Sequence, residues 1–379
     1  YAMSTLFSAM KPVMLTRFVE QAGFAETFAG VTVAMPFVGI ACASLIMRGR
    51  LLAMPYWVIV ALFGGILVAV EISSALWFSV GILVVPSQFL GGVCVGVLMG
   101  TTSRYIATTA TPDKLFGFVD MTAVFLMSFM VYGVGEAVQS AGLAGGYLFA
   151  AALTALYALS MFYFRGSARD RHNERQPPPA LKLTLQPAAV VLMGVIFVTC
   201  SGLGFAFMFT MARDLGMSYD SAGTQIGVLL FVSAFACQLG GWASARYGHA
   251  RPLSGAFNTC AVGWFIAVQA TSVAIFLLAL IPAIFSLQFI FPILLALSGS
   301  LDRHGQWAAI ATPLLTSGFA WAAICAGLIV DRWGIPALAT GTAIGMAICL
   351  ILLRLTLSLT RRNTGEMKLH PAQQPGDTP

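Results

Sequence analysis

Runs of roughly 20 apolar residues follow one another along most of the chain, broken by short polar stretches at intervals suited to bilayer crossings. Read as spans, they fall at 1 to 18, 26 to 47, 53 to 72, 76 to 109, 115 to 139 and 144 to 164. A second set falls at 188 to 212, 221 to 244, 252 to 271, 273 to 299, 306 to 330 and 335 to 358. Inside hydrocarbon every backbone N–H and C=O must be satisfied by the protein itself, and these runs are too long and unbroken for barrel strands. The pattern predicts helices, and the fold class is an all-α membrane protein with twelve transmembrane helices in two six-helix bundles.

Composition agrees. Hydrophobic residues make up 59% of the 379 and charged residues 9%, more apolar surface than a soluble fold of this length can bury. The one long polar stretch before the tail, Arg165 to Pro187, carries Pro177, Pro178 and Pro179, which stiffen it as polyproline II. It divides an N-terminal bundle (1–164) from a C-terminal bundle (188–360) and is expected on the cytoplasmic side. The polar, Pro-containing segment 361–379 is expected to be a disordered cytoplasmic tail. The first span begins without a methionine and lacks the basic flank and cleavage site of a signal peptide, which reads as a span whose start is missing.

Charge fixes an expected orientation. With the N-terminus inside, Arg48, Arg50, Lys114, the linker, Arg246, Arg251, Arg303, Arg361, Arg362 and Lys368 face the cytoplasm, and Arg17, Arg213 and Arg332 remain outside. The expected setting is a bacterial inner (plasma) membrane. The net charge of +6 then reflects topology and contact with anionic headgroups, and calls for no nucleic-acid partner.

All seven cysteines fall inside predicted spans, which argues against a disulfide framework or a zinc site. The four histidines, His172, His249, His304 and His370, fall in predicted loops or the tail, and no HExxH, P-loop or Cys/His ligand spacing occurs. Neither an enzyme nor a cofactor nor a metal is implied.

A shift of about 193 residues sets Gly23 to Gly30 on Gly216 to Gly223, each a glycine, a polar turn and an Ala-Gly entering the next span, as for two repeats about an axis along the membrane normal. Together with Pro12, the stretch Gly241 to Arg251 and the stretch Gly327 to Gly334, this makes the chain resemble the major facilitator superfamily over essentially its whole length. The resemblance implies two pseudo-symmetric bundles and a secondary transporter working by alternating access. The Gly241 to Arg251 stretch looks like the family's cytoplasmic gating motif, which makes Arg246 and Arg251 gating candidates, but its usual aspartate is Ala245. The first-half copy is reduced to Met47 to Arg50. The fourth-span arginine is replaced around Ser87 to Gly91 and the fifth-span Gly-Pro by Gly135-Glu136, so the drug-antiporter pattern is not met.

Ionisable groups within spans cost a few kcal/mol and are functional candidates by default. Lys11, about eight residues before the outer end of its span and so on the order of 12 Å deep, could bind an anionic substrate group, pair structurally or snorkel. Glu136, near the outer end of the fifth span, is the first choice for proton coupling and Asp120 the second. The alternative for Glu136 is a boundary carboxylate in headgroup water. Arg104 and Asp120 lie at similar distances on either side of the Pro112-Asp113 turn, which suggests a gating or structural ion pair. Glu71 reads as solvated. Gln88 and Gln288 offer amides to a substrate or to neighbouring helices. Gly92, Gly96 and Gly100 form a small-residue ridge for close helix packing.

The leading reading is a secondary active transporter of a small organic solute, anionic or zwitterionic by preference because Lys11 and Arg104 are the two deep cations. An exporter of amphipathic compounds or lipids and a transporter-like sensor or scaffold without flux are the alternatives. The expected partners are a small-molecule substrate, membrane lipids and, where transport is driven by them, protons, with the chain a monomer.

Overall fold

The computed structural model describes residues 26–47, 51, 54–163, 185–302 and 304–369. The predicted first span with Lys11, Arg48 and Arg50, Arg303, most of the linker and residues 370–379 lie outside these. Ten helical elements run through the described residues. They are α1 (Glu26–Ile46), α2 (Tyr56–Trp77), α3 (Gly81–Ala107), α4 (Pro112–Tyr163) and α5 (Leu185–Asp214), then α6 (Tyr219–Tyr247), α7 (Ala250–Val268), α8 (Val273–Gly299), α9 (Gln306–Trp333) and α10 (Ala337–Leu369).

α4 is two helices in series. Ala141 leaves helical dihedrals, and Gly142 takes φ 68° and ψ −164°, a conformation that glycine reaches freely and a side chain resists. The chain folds back there, and Phe149 of the second arm packs over Gly133 of the first. With the two arms counted separately, the second to twelfth predicted spans each fall mainly on one helix, with α2 running on to Trp77 into the limits predicted for the next span. α8 coincides with its predicted limits, whereas α10 runs to Leu369, beyond residue 360 where the sequence ends the bundle.

Polar turns set these limits. After α5 the Gly216 N–H reaches the Arg213 carbonyl at 2.8 Å and the Met217 N–H reaches Ala212 at 3.1 Å, closing the helix. Ser218 then accepts from the Ser221 N–H at 3.2 Å and starts α6. Ser272 caps α8 in the same way.

Nine helices among the described residues are long and apolar enough to cross a bilayer. Leu76, Ile82, Phe129 and Leu278 stand exposed along them, surface suited to lipid rather than water. The chain is an integral, multi-pass membrane protein.

α1 lies on α3, where Gly96 lets the Ile40 carbonyl oxygen come within 2.9 Å of the place a Cβ would take. α2 packs on α3 and on α4. In the second half α5 lies against α9 and α10, and α8 against α6 and α7. The halves meet through α4 on α6, α1 and α3 on α9, and α4 on α8. Close approach governs two of these contacts. A Cβ at Gly100 would strike the Ala309 carbonyl of α9, and one at Gly117 would stand 2.7 Å from the Cys237 carbonyl oxygen and 3.1 Å from the Gly241 Cα of α6. Farther along, Phe125 of α4 packs 4.8 Å from Phe231 and 5.2 Å from Phe235 of α6, and Phe129 lies 6.1 Å from Phe231.

Candidate functional site

The glycine contact between α4 and α6 carries the first group of polar side chains. Asp120 is buried close to Cys237 of α6. Cys237 lies 3.9 Å from the Gln288 carbonyl oxygen on α8, in donor geometry. Asp120 and Gln288, singled out separately in the sequence, therefore meet at one junction of α4, α6 and α8. Gln238, next to Cys237 in sequence, has a buried side-chain oxygen with no hydrogen-bond partner among the described residues. The sequence reading passed it over, although an amide midway along an apolar run was visible.

A second polar group lies within the first half. Glu71 of α2 is fully buried and accepts a hydrogen bond from Thr154 on the second arm of α4 at 3.2 Å. This corrects the expectation that Glu71 is solvated: α3 and the second arm of α4 cover the outer part of α2. Gln88 is also fully buried and donates to Ser74 of α2 at 3.1 Å, and Ser74 lies 3.1 Å from Ser87. Buried Tyr147 of the second arm of α4 interacts with Gln88. Gln88 thus makes the interhelical bond that was its alternative to binding substrate. A hydrogen bond between membrane helices contributes about 0.6 kcal/mol, against roughly 2.5–3.5 kcal/mol to insert a charged side chain at mid-membrane, so the Thr154 bond by itself offsets a fraction of the cost of a Glu71 anion.

Polar contacts across the halves gather at the end bearing the basic loops. Arg104, in the last turn of α3, donates from Nε to the His304 carbonyl at 3.1 Å and interacts electrostatically with Asp302. Asp302 accepts from the N–H groups of His304, Gln306 and Trp307 at 3.1, 3.0 and 3.0 Å and so caps α9. Asp113, in the first turn of α4, accepts from Ser244 Oγ of α6 and lies 3.0 Å from His249 Nε2 in the α6–α7 turn. Counting along the helices set Arg104 beside Asp120, but the structure turns Arg104 to the loop before α9 and Asp120 to α6. Arg246 lies over the rings of Trp242 and Tyr247, and Arg251 is exposed at the start of α7. Glu136 is exposed on α4, shortly before the break. The Asp113, Ser244 and His249 contact was missed because a turn aspartate and a loop histidine carry no periodic signal.

No protein-family model and no curated protein matches the sequence. Solved structures do match. A proton:xylose symporter of the major facilitator superfamily, XylE, with bound 6-bromo-6-deoxy-D-glucose, superposes with a TM-score of 0.70 at 15% identity, over 94% of this chain and 92% of its own. FucP, a transporter of the same superfamily in its outward conformation, gives 0.70 at 14% over 94% and 97%. The human organic anion transporter MFSD10 gives 0.68 at 13% over 93% and 97%. At these identities the likeness concerns architecture, and the chain has the fold of the major facilitator superfamily transporters.

Proposed function

We propose that this protein is a secondary transporter that moves a small organic solute across the membrane by alternating access. The observation that carries the reading is how the halves are held together: polar clamps at one end, formed by Arg104 with the loop before α9 and by Asp113 with Ser244 and His249, can part without unfolding either half. The arrangement proposed with it is twelve spans in two six-helix bundles, with both termini and the linker cytoplasmic. The clamps then close the cytoplasmic side.

Two of the solved transporters of this fold are described as a xylose symporter and an organic anion transporter, a range that supports a small solute. The preference for an anionic or zwitterionic solute rests on Lys11, since Arg104 is engaged by the 300–305 loop. Coupling to protons, the mode of the xylose symporter, falls to Asp120. It is the buried one of the two coupling candidates, and it sits where the halves touch, so its charge state bears directly on their packing.

Counterflow in proteoliposomes tests both parts. A solute that stabilises the purified chain should exchange with its labelled copy across the membrane, and Asp120→Asn should keep exchange while losing accumulation driven by a pH gradient. Binding without exchange would favour a sensor or scaffold. Retained pH-driven accumulation in Asp120→Asn would return the coupling role to Glu136.

A further inference from the structure

Beside the Asp113 clamp lies an open surface cavity of about 220 Å³ lined by four exposed residues, Lys114 from α4 and Trp242, Ala245 and Arg246 from α6. It spans the two halves, and both of its charged side chains are cations. The guanidinium of Arg246 lies 5.6 Å from the centre of the Trp242 ring and 5.7 Å from that of Tyr247, which holds it in place through its face. Among the described residues no carboxylate forms an ion pair with Lys114 or Arg246. Ala245, small and uncharged, adds room and no anion.

An apolar path leads to this cavity. Phe235, Leu239 and Trp242 on α6 are 53%, 54% and 46% exposed, and with Arg246 they recur three or four residues apart on one helix face. On α4, Phe118 is 53% exposed one turn beyond Lys114. A hydrocarbon-facing stripe that ends in an indole and two cations is the complement of a phospholipid: acyl chains on the stripe and an anionic headgroup at the basic end.

We propose that this cavity binds the phosphodiester headgroup of an anionic phospholipid. The phosphate lies between the Lys114 ammonium and the Arg246 guanidinium and relieves their mutual repulsion through charge-assisted hydrogen bonds. Lys114 adjoins Asp113 in sequence and Arg246 lies two residues from Ser244, so a bound lipid ties α4 to α6 at the clamp. Free phosphate offers the same head chemistry without the chains, and the stripe favours the lipid.

The test uses the full chain purified in detergent and titrated with phosphatidylglycerol, phosphatidylcholine or inorganic phosphate, with the apparent Tm as readout. Phosphatidylglycerol should raise the Tm and phosphatidylcholine should not. Lys114→Ala and Arg246→Ala should each weaken the apparent affinity about fivefold, and the double variant about thirtyfold. Ala245→Asp keeps both cations and supplies a competing acid, so it should weaken binding even if the double variant fails to fold. Arg332→Ala, exposed at the far end of α9, should leave lipid affinity unchanged. Stabilisation by phosphatidylglycerol that survives in Ala245→Asp and the double variant overturns the site. Equal stabilisation by inorganic phosphate upholds the phosphate chemistry and overturns the lipid as its source.

Discussion

The two clamps at the basic end join the same halves with different chemistry. Around Asp113, side chain meets side chain: a hydroxyl and an imidazole converge on one carboxylate, and both ionisable groups are about one quarter exposed. Around Arg104, a side chain meets backbone: the guanidinium reaches the His304 carbonyl, while Asp302 is committed to three N–H groups at the start of α9. The first clamp depends on the identity of three residues. The second depends on a helix cap, and His304 can change its side chain without cost to it. A partly exposed carboxylate–imidazole contact contributes about 0–1 kcal/mol, whereas the cap contributes about 0.5–2 kcal/mol to the turn that presents the His304 carbonyl, so the surface that receives Arg104 should be the better fixed of the two.

The largest blow to the α3–α9 contact should come from Gly100→Leu. The Ala309 carbonyl occupies the space of the new side chain, and overpacking of this kind costs about 1–3 kcal/mol. Spin-label distances between the basic ends of α3 and α9 should lengthen, and an unchanged distance would show that the contact yields cheaply. Asp302→Ala comes next, losing about 0.5–2 kcal/mol of capping, read as a lower Tm in detergent. Asp302→Asn divides the roles in part: its one carbonyl oxygen can keep the bonds from His304 and Gln306, its amide group cannot accept from Trp307, and it exerts no pull on Arg104. Equal losses in the two variants would give the charge, rather than the cap, the main part. The smallest effect belongs to His249→Ala, below about 1 kcal/mol, seen as slightly faster labelling of a cysteine placed at Thr111. Its effect should be non-additive with that of Ser244→Ala, and simple additivity would mean that the two residues do not act together on Asp113.

Depth along a helix was legible in the sequence and rotation about its axis was not. Residue counting put Arg104 and Asp120 at similar levels, but the facing neighbour of each is chosen by α9 and α6, whose placement follows from the contacts of Gly100 with Ala309 and of Gly117 with Cys237, far apart in the chain. Gln288 was singled out because an amide inside hydrocarbon stands out against its surroundings. Glu71 was misread for the converse reason. Its position near a predicted helix end suggested water, and only the second arm of α4, folded back at Gly142, brings Thr154 over it. Span limits were the easiest part, since Ser218, Ser272 and Gly216 are local signals that act within one turn.

The phenylalanines between α4 and α6 bear on how such a molecule moves. Phe125, Phe129, Phe231 and Phe235 meet as tilted and edge-to-face rings, with no polar bond to break when the helices turn on each other. A rocking motion that opens one end can roll along this line like a bearing, the clamps parting while the rings stay in touch. The fulcrum then runs close to Asp120, and its neighbours change little through the cycle. In the proposed alternating-access cycle, what changes at that carboxylate is the side from which water reaches it, so a spectroscopic probe there should report hydration rather than distance.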